Sequence, residues 1–374
     1  MCAKLKVVEI DNLSSFLALR EEWNDVLSRC EHSVFSTWEW LTCWWKHFGI
    51  DKKLVLLLAE EDNQIVGIAP LMYSVYEMFG ARMGKIEFIG TPDSDYNDFV
   101  LADEEEECIT YFINHLNRLL AKWNHIDLSE IPESSKSLRF LAETSRTLKP
   151  VHKCPYVSLP RSHDAFLQSL SYNRRRDLQR NLKRLENEFE VNFADYSGPQ
   201  SYVKGMNEFF ELHQRRWESK GFSGVFSVQT FRNFHFEIAR SFSQKGWLRL
   251  YLLRLSGKSV AALYGFRYQN KFYGYLSGFD PRYSRYSIGN LLMSKAIEKS
   301  IQEELTEFDF MRGAEEYKDR WNTTTRWNHE AIITRRGFLE NVEYRLYNEY
   351  WQQASRLKYF VKNAPRILAH ALNK

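Results

Sequence analysis

The chain has 374 residues, 44% hydrophobic and 15% aromatic, which suits two domains of ordinary size or one large one and excludes a disordered or low-complexity protein. Its 51 basic and 48 acidic residues leave a net charge of +3, too balanced to point to a nucleic-acid partner. The five cysteines, Cys2, Cys30, Cys43, Cys108 and Cys154, have neither zinc-site spacing nor a disulfide framework, so no metal is expected and a cytoplasmic location fits. No apolar run is long enough for a signal peptide or a transmembrane segment.

In chain order, helices are expected over 14–30 and 35–49. "KLVLLLAEEDNQIVGIAPLMY" (53–73) then reads as a hairpin turning at Glu61-Asp62-Asn63. A strand over 85–90, the acidic loop "PDSDYNDF" (92–99), a helix near 105–123 and a strand over 125–131 follow. A boundary falls near 148–160, where Pro150, Pro155 and Pro160 lie close together. Helices over 162–190 and 200–221 lead to a second hairpin, 247–268, turning at Ser256-Gly257-Lys258. A strand over 271–279, a helix near 288–302 and a strand over 307–311 complete it. Each half therefore runs hairpin, strand, helix, strand, the pattern of an internal duplication.

The expected fold class is α/β with a mixed sheet: two tandem modules, 1–155 and 156–335, with helices flanking each sheet. A C-terminal helical segment, 336–374, would follow. Its helix over 340–362 carries Leu346, Tyr350, Leu357 and Val361 on one face and Pro365 just past its end. Glu340, Glu343 and Glu349 interrupt the polar face, so docking on the protein is expected rather than lying on a membrane.

The stretch "RYSRYSIGNLLMSKAIEKSI" (282–301) changes character halfway. Ile288, Leu292, Met293, Ala296, Ile297 and Ile301 form the apolar stripe of a helix packed on a sheet. Its first turn leaves N–H groups unbonded near Ser287, Ile288, Gly289 and Asn290. With the helix dipole, these favour an anion by about 0.3–1 kcal/mol. Gly289 permits close backbone approach, Ser284 and Ser287 add hydroxyls, and Arg282 and Arg285 add charge-assisted donors. A phosphate at this helix mouth is the expectation.

A strand, a short polar loop and a glycine opening a helix resemble the pyrophosphate loop of the GNAT acetyltransferases. Gly289 corresponds to the last glycine of that loop. Ser287 stands at the first glycine and Ser284, beside Arg285, at the Gln/Arg position. The segments 257–298 and "FDFMRGAEEYKDRW" (308–321) are similar to the tandem-module branch known as cellulose-biosynthesis acetyltransferases, as are 35–48 and 86–99. The likeness covers most of residues 10–325. It implies an acyltransferase of the N-acetyl type, with acetyl-CoA or another acyl-CoA as co-substrate. The acceptor would be a small-molecule or saccharide amine or hydroxyl, for example an envelope-polysaccharide precursor. The related Fem peptidyltransferases share the layout and use aminoacyl-tRNA. Under that alternative the basic helix "YNRRRDLQRNLKR" (172–184) would meet tRNA. A third alternative is a non-catalytic GNAT-fold module in polysaccharide biosynthesis.

Transfer from a thioester needs a base, because a free amine has a pKa of about 10.4, and a donor for the departing thiolate. The junction after strand 307–311 supplies candidates. Glu315 or Glu316 is the candidate base, Tyr317 the proton donor, and Arg312 and Lys318 substrate-binding groups facing a cleft between the modules. In the first module Asp95 and Asp98, with Asp93 nearby, are candidate acceptor ligands. Asp309, His213 and His235 read as structural.

Overall fold

The computed structural model describes residues 5–78, 81–102, 105–119 and 125–334. The expected helix over 340–362, with the rest of 336–374, lies outside them. The described residues form two compact units: one runs to Val151 and resumes at Asn328, the other is His152–Trp327.

Unit 1 opens with β1 (Lys6–Ile10), α1 (Leu13–Ala18), α2 (Arg20–Ser28) and α3 (Trp38–Phe48). The single helix expected over 14–30 is two, because the Leu19 N–H closes a tighter bond to Phe16 O at 3.3 Å. β2 (Lys53–Glu61) and β3 (Gln64–Met78) form the expected hairpin, with Asp62 and Asn63 at φ 48° and 66°, the left-handed pair that short hairpin turns use. β4 (Ala81–Phe88) continues the antiparallel meander, and β5 (Val100–Leu101) pairs with the start of β3. α4 (Glu105–Leu119) then crosses to β6 (His125–Pro132), parallel to β4 at Lys85↔His125 and Ile86↔Ile126, and α5 (Ser137–Thr144) follows. Leu57, Leu71, Ile86, Phe112, Leu116 and Ile126 share one core, the product of period-two strands meeting a period-3.6 helix.

Unit 2 receives the latter half of β7 (Thr147–Ser158), then α6 (His163–Ser169) and α7 (Tyr172–Glu188). The helix expected over 162–190 breaks at Leu170, and the Ser171 hydroxyl caps α7 by accepting the Arg174 N–H at 3.3 Å. β8 (Val191–Asp195), α8 (Tyr202–Glu218) and α9 (Gln229–Gln244) precede the second meander, β9 (Leu248–Leu255), β10 (Lys258–Tyr268) and β11 (Lys271–Phe279). α10 (Ile288–Gln302) crosses to β12 (Glu307–Asp309), parallel to β11, and α11 (Glu316–Asp319) follows. All six residues of the predicted α10 stripe are buried.

The plan of the halves repeats down to the parallel pair after the crossover helix. The last strands are exchanged in sequence. β7 follows β6 in the chain but pairs with β12, whereas β13 (Thr324–Thr334) follows β12 but pairs from Asn328 onward with β6. The sequence reading placed 156–335 in one module; here Ala331 and Ile333 belong to the unit 1 core.

Beyond Ile86↔Ile126 the residues after β4 take a separate course. The loop over 89–99 bonds to β6 through Asn97, whose N–H donates to Glu130 O at 2.9 Å and whose Nδ2 donates to Ser129 O at 3.2 Å. Trp40 Nε1 donates to Ser94 Oγ at 2.9 Å and Trp44 Nε1 to Asp93 at 2.8 Å. Asp95 and Asp98, expected as acceptor ligands, lie in this loop. Asp95 is buried, and its carbonyl accepts from Asn328 Nδ2 at 2.6 Å. Asp98 Oδ1 accepts from Ser137 Oγ at 2.8 Å and from the Phe99 N–H at 2.9 Å. Asn97 thus ties this loop to β6, while the Asp93 and Asp98 carboxylates bond to Trp44 of α3 and Ser137 of α5.

Burial pushes the Asp98 carboxyl up from 3.8 to about 6, against the hydrogen bonds of Ser135 and Ser137. A carboxyl whose folded pKa lies above its unfolded value contributes most below the unfolded pKa. That contribution is lost as pH rises from 3.8 through about 6, to the extent of about 3 kcal/mol. Asp98→Asn keeps an oxygen to accept the same bonds and removes the titration. It should flatten the fall in stability between pH 4 and 6 and leave the variant more stable than the parent at pH 7.5, as urea unfolding at a series of pH values would report.

Candidate functional site

In unit 2 the two parallel strands part early. β11 and β12 are paired only over Lys271–Tyr273 and Glu307–Asp309, and β11 runs on to Phe279. Two features keep them apart. On one side, α8 lies tight against β11 at Gly278, where a Cβ would fall 2.3 Å from the His213 backbone nitrogen. On the other, Asp309 ends β12 by accepting the Met311 N–H at 2.7 Å, and Met311 turns away with φ 61°. Asp309 is also paired with Arg326 at 2.7 Å and is fully buried, in line with its structural reading.

Lys318 was expected to bind substrate, and its surroundings say otherwise. It is 3% exposed, and its ammonium donates to Met311 O and Arg312 O, both at 3.0 Å, and pairs with Glu315 at 3.0 Å. All of its donors are engaged by the turn that carries the chain away from β11. Lys318 shapes the site without presenting a donor to a ligand. Arg312 is half-buried at the same turn, and Glu315 and Glu316 are exposed. Tyr317 is half-buried and packs against the unit 2 core, and burial, with Glu315 beside it, pushes its phenol up to about 12. It therefore keeps its proton throughout the neutral range.

Beyond the end of β11, Asp280 caps a 3-10 turn, Pro281–Tyr286, that feeds α10. The buried Asp280 carboxylate accepts from Arg282 Nε at 2.9 Å and Nη2 at 2.6 Å, with Arg215 at 3.8 Å. The Arg282 hydrogen bond holds that carboxyl below the usual range. Arg285 bonds to the Tyr286 hydroxyl, which bonds in turn to Glu188. The two arginines expected as charge-assisted phosphate donors thus each pair with an acid of the same chain, Arg282 with Asp280 and Arg285 with Glu188. Both arginine side chains remain 67% exposed. Asp280 was legible as the acid of an Asp-Pro turn start; Glu188 was not, since it lies on a distant helix.

Ser287 links the 3-10 turn to α10 in the left-handed conformation, φ 53° and ψ 40°. That backbone favours glycine, so the position departs in residue but keeps the geometry a glycine would adopt. The Asn290 and Leu291 N–H groups donate to Ser287 O at 2.8 and 3.2 Å. The Ile288 and Gly289 N–H groups lie ahead of that first acceptor. Gly289 is exposed, and a Cβ on it would meet nothing within 4 Å. Ser284 is exposed beside it.

Two residues of α8 also lie against β11. Arg216 of α8 donates to Ser277 Oγ at 2.9 Å and Ser277 O at 3.2 Å, on the stretch of β11 beyond β12. His213, read as an ordinary helix residue, is buried, accepts from Trp217 Nε1 at 3.1 Å, and is held neutral by burial, its pKa lowered to about 4.

Residues 172–319, from α7 to α11, match the acetyltransferase (GNAT) domain family. No curated protein matches the sequence. The structure of FemX is similar at a TM-score of 0.60 and 12% identity, covering 86% of this chain and 96% of that one. L-PGS from Bacillus licheniformis is similar at 0.54 and 13%, over 87% and 96% of the two chains. A tandem GNAT protein from the clavulanic acid biosynthesis pathway follows at 0.50 and 12%, over 88% and 98%. At such identities the likeness is one of fold. Among the described residues no helix is long and apolar enough to cross a membrane. Residues 172–319 of unit 2 are thus similar to the acetyltransferase (GNAT) domain, within a mixed α/β chain whose fold is similar to those of FemX and a tandem GNAT protein.

Proposed function

We propose that unit 2 transfers an acyl group from an acyl-coenzyme A to an amine or hydroxyl acceptor. The observation that carries this reading is the parting of β11 from β12 directly ahead of the mouth of α10, within the stretch that matches the GNAT family. An extended chain of amides can add to a strand edge that has no strand partner, and the edge of β11 beyond Tyr273 is such an edge among the described residues. The donor's diphosphate would then meet the Ile288 and Gly289 N–H groups, the Ser284 and Ser287 hydroxyls and the Asn290 side of the turn. Arg282 and Arg285 border it.

The acceptor's nucleophile attacks the thioester carbonyl carbon. The new C–N or C–O bond forms, the C–S bond breaks, and the acceptor's proton passes to Glu315, Glu316 or water. Tyr317 keeps its O–H at working pH and donates a hydrogen bond to the departing thiolate. Arg312 borders the same turn as a substrate contact. An envelope-saccharide precursor remains our reading for the acceptor. Unit 1 takes no part in binding the donor in this account, since its own loop over 89–99 bonds along β6.

One observation favours the Fem-like alternative. Arg176, Arg180, Lys183 and Arg184 form an exposed row on α7, and Arg184 lies over the Tyr286 ring at 5.5 Å, beside the α10 mouth. An aminoacyl-tRNA donor would engage that row. Calorimetry separates the two: acetyl-coenzyme A should bind and charged tRNA should not.

Gly289→Val should weaken acetyl-coenzyme A binding about tenfold or more, because a side chain would stand where the diphosphate approaches. Its thermal midpoint should not fall, since the position is open. Unchanged binding would place the donor elsewhere. Tyr317→Phe should lower kcat by about ten- to a hundredfold with little change in the KM for acetyl-coenzyme A. Thiol release measured across an amine panel would show it; equal loss in KM alone would make Tyr317 a binding residue only.

A further inference from the structure

Unit 2 holds a group of buried donors that have no hydrogen-bond partner among the described residues. Arg174, in the first turn of α7, is 8% exposed, and its guanidinium lies over the Trp321 ring at 4.2 Å. Arg174 Nε and Nη2 and Trp321 Nε1 are all buried, and among the described residues none has a hydrogen-bond partner. The acid nearest Arg174 on its own helix, Asp177, pairs with Arg180 at 2.9 Å, and the other charge that reaches it is Arg320, a like charge. Burial and Arg320 lower the Arg174 pKa to about 10, which leaves it a cation at neutral pH. Trp321 is fully buried and stacks on Phe310 and Phe166 at 6.3 and 6.4 Å.

Buried N–H groups are nearly always paired, and a buried cation without an anion is costly. Stacking on an indole face offsets part of that cost for the guanidinium. It does nothing for the indole N–H itself, which lies in the ring plane. A site with donors, a net positive field and no acceptor is complementary to an oxyanion. Its place in the chain matters too. Trp321 follows Tyr317 by four residues, just past the end of α11, with the Trp321 N–H bonded to Lys318 O at 3.1 Å, and both side chains pack into the unit 2 core.

We infer that Arg174 and Trp321 hold a small oxyanion, the carboxylate or phosphate of the acceptor substrate, four residues along the chain from Tyr317. This rests on the acyltransferase reading for the word acceptor, but the anion site stands on its own geometry. The substrate class it selects is an amine or alcohol that also bears a carboxylate or a phosphate.

The test uses the full chain, with sodium phosphate and sodium acetate as probes at matched ionic strength, read by thermal midpoint and tryptophan fluorescence. One or both probes should give a saturable rise in midpoint. Which of the two gives the larger rise identifies the oxyanion. Arg174→Met should fold at least as stably as the parent without probe, because it removes an unpaired buried charge, and should lose the rise. Trp321→Phe keeps the stacking and should weaken it several-fold. Acetyl-coenzyme A binding should be unchanged in Arg174→Met. In an acceptor panel, anionic acceptors should show a KM raised tenfold or more in Arg174→Met, with neutral ones unaffected. An absent rise, or the same rise in Arg174→Met, overturns the site. Joint loss of phosphate and acetyl-coenzyme A binding in Arg174→Met would assign the site to the donor and overturn the acceptor inference. If the parent binds phosphate but not acetyl-coenzyme A, the acyltransferase reading fails while the anion site remains.

Discussion

One buried ammonium holds the turn by which the chain leaves β12. After Asp309 the chain leaves the sheet through Met311 at φ 61° and Gly313 at φ 130°, which turns several carbonyls toward one point. Lys318 closes that point, donating to Met311 O and Arg312 O at 3.0 Å each. Buried carbonyls without a donor cost about 1–3 kcal/mol each, so the turn and the lysine require each other. With the turn fixed, β12 ends where it does, β11 keeps a bare edge, Tyr317 is set on α11 and Trp321 is sealed beneath Arg174. An Arg or Gln at 318 could not place three donors on a compact centre in the same way.

The same strand plan is put to two uses. Both units carry a meander, a crossover helix and a short parallel pair. In unit 1 the chain after β4 makes a long acidic loop that bonds along β6, and the carboxylates serve that packing. In unit 2 the chain after β11 makes a compact 3-10 turn capped by Asp280 and passes directly into α10. A short connection leaves the edge open; a long one covers its counterpart. The match to the GNAT family falls on the half with the short connection.

Much of the fold was legible in the sequence because its signals are local. The hairpin turns at Asp62-Asn63 and Ser256-Gly257 lie where turn residues interrupt alternating apolar runs, and the α10 stripe follows from its period. The duplication was legible for the same reason. The exchange of β7 and β13 was not, since strand partners far apart in sequence leave no local mark. At the candidate site, the exposed Gly289 opening α10 was legible from its place in the stretch, whereas the burial of Lys318 and Asp95 was not, because polarity alone does not reveal which way a side chain turns. Arg174 was hidden in a run of five basic and polar residues, and only its position on the buried face of α7 separates it from Arg176 and Arg180.

The proposed acyl donor lies along β11 and at the α10 mouth of unit 2. Amide hydrogen exchange of the full chain with and without acetyl-coenzyme A tests it most directly. Added protection confined to residues 274–290, with none over 86–101, is the predicted result. Protection over the unit 1 loop, or none in either segment at saturating acetyl-coenzyme A, would contradict it.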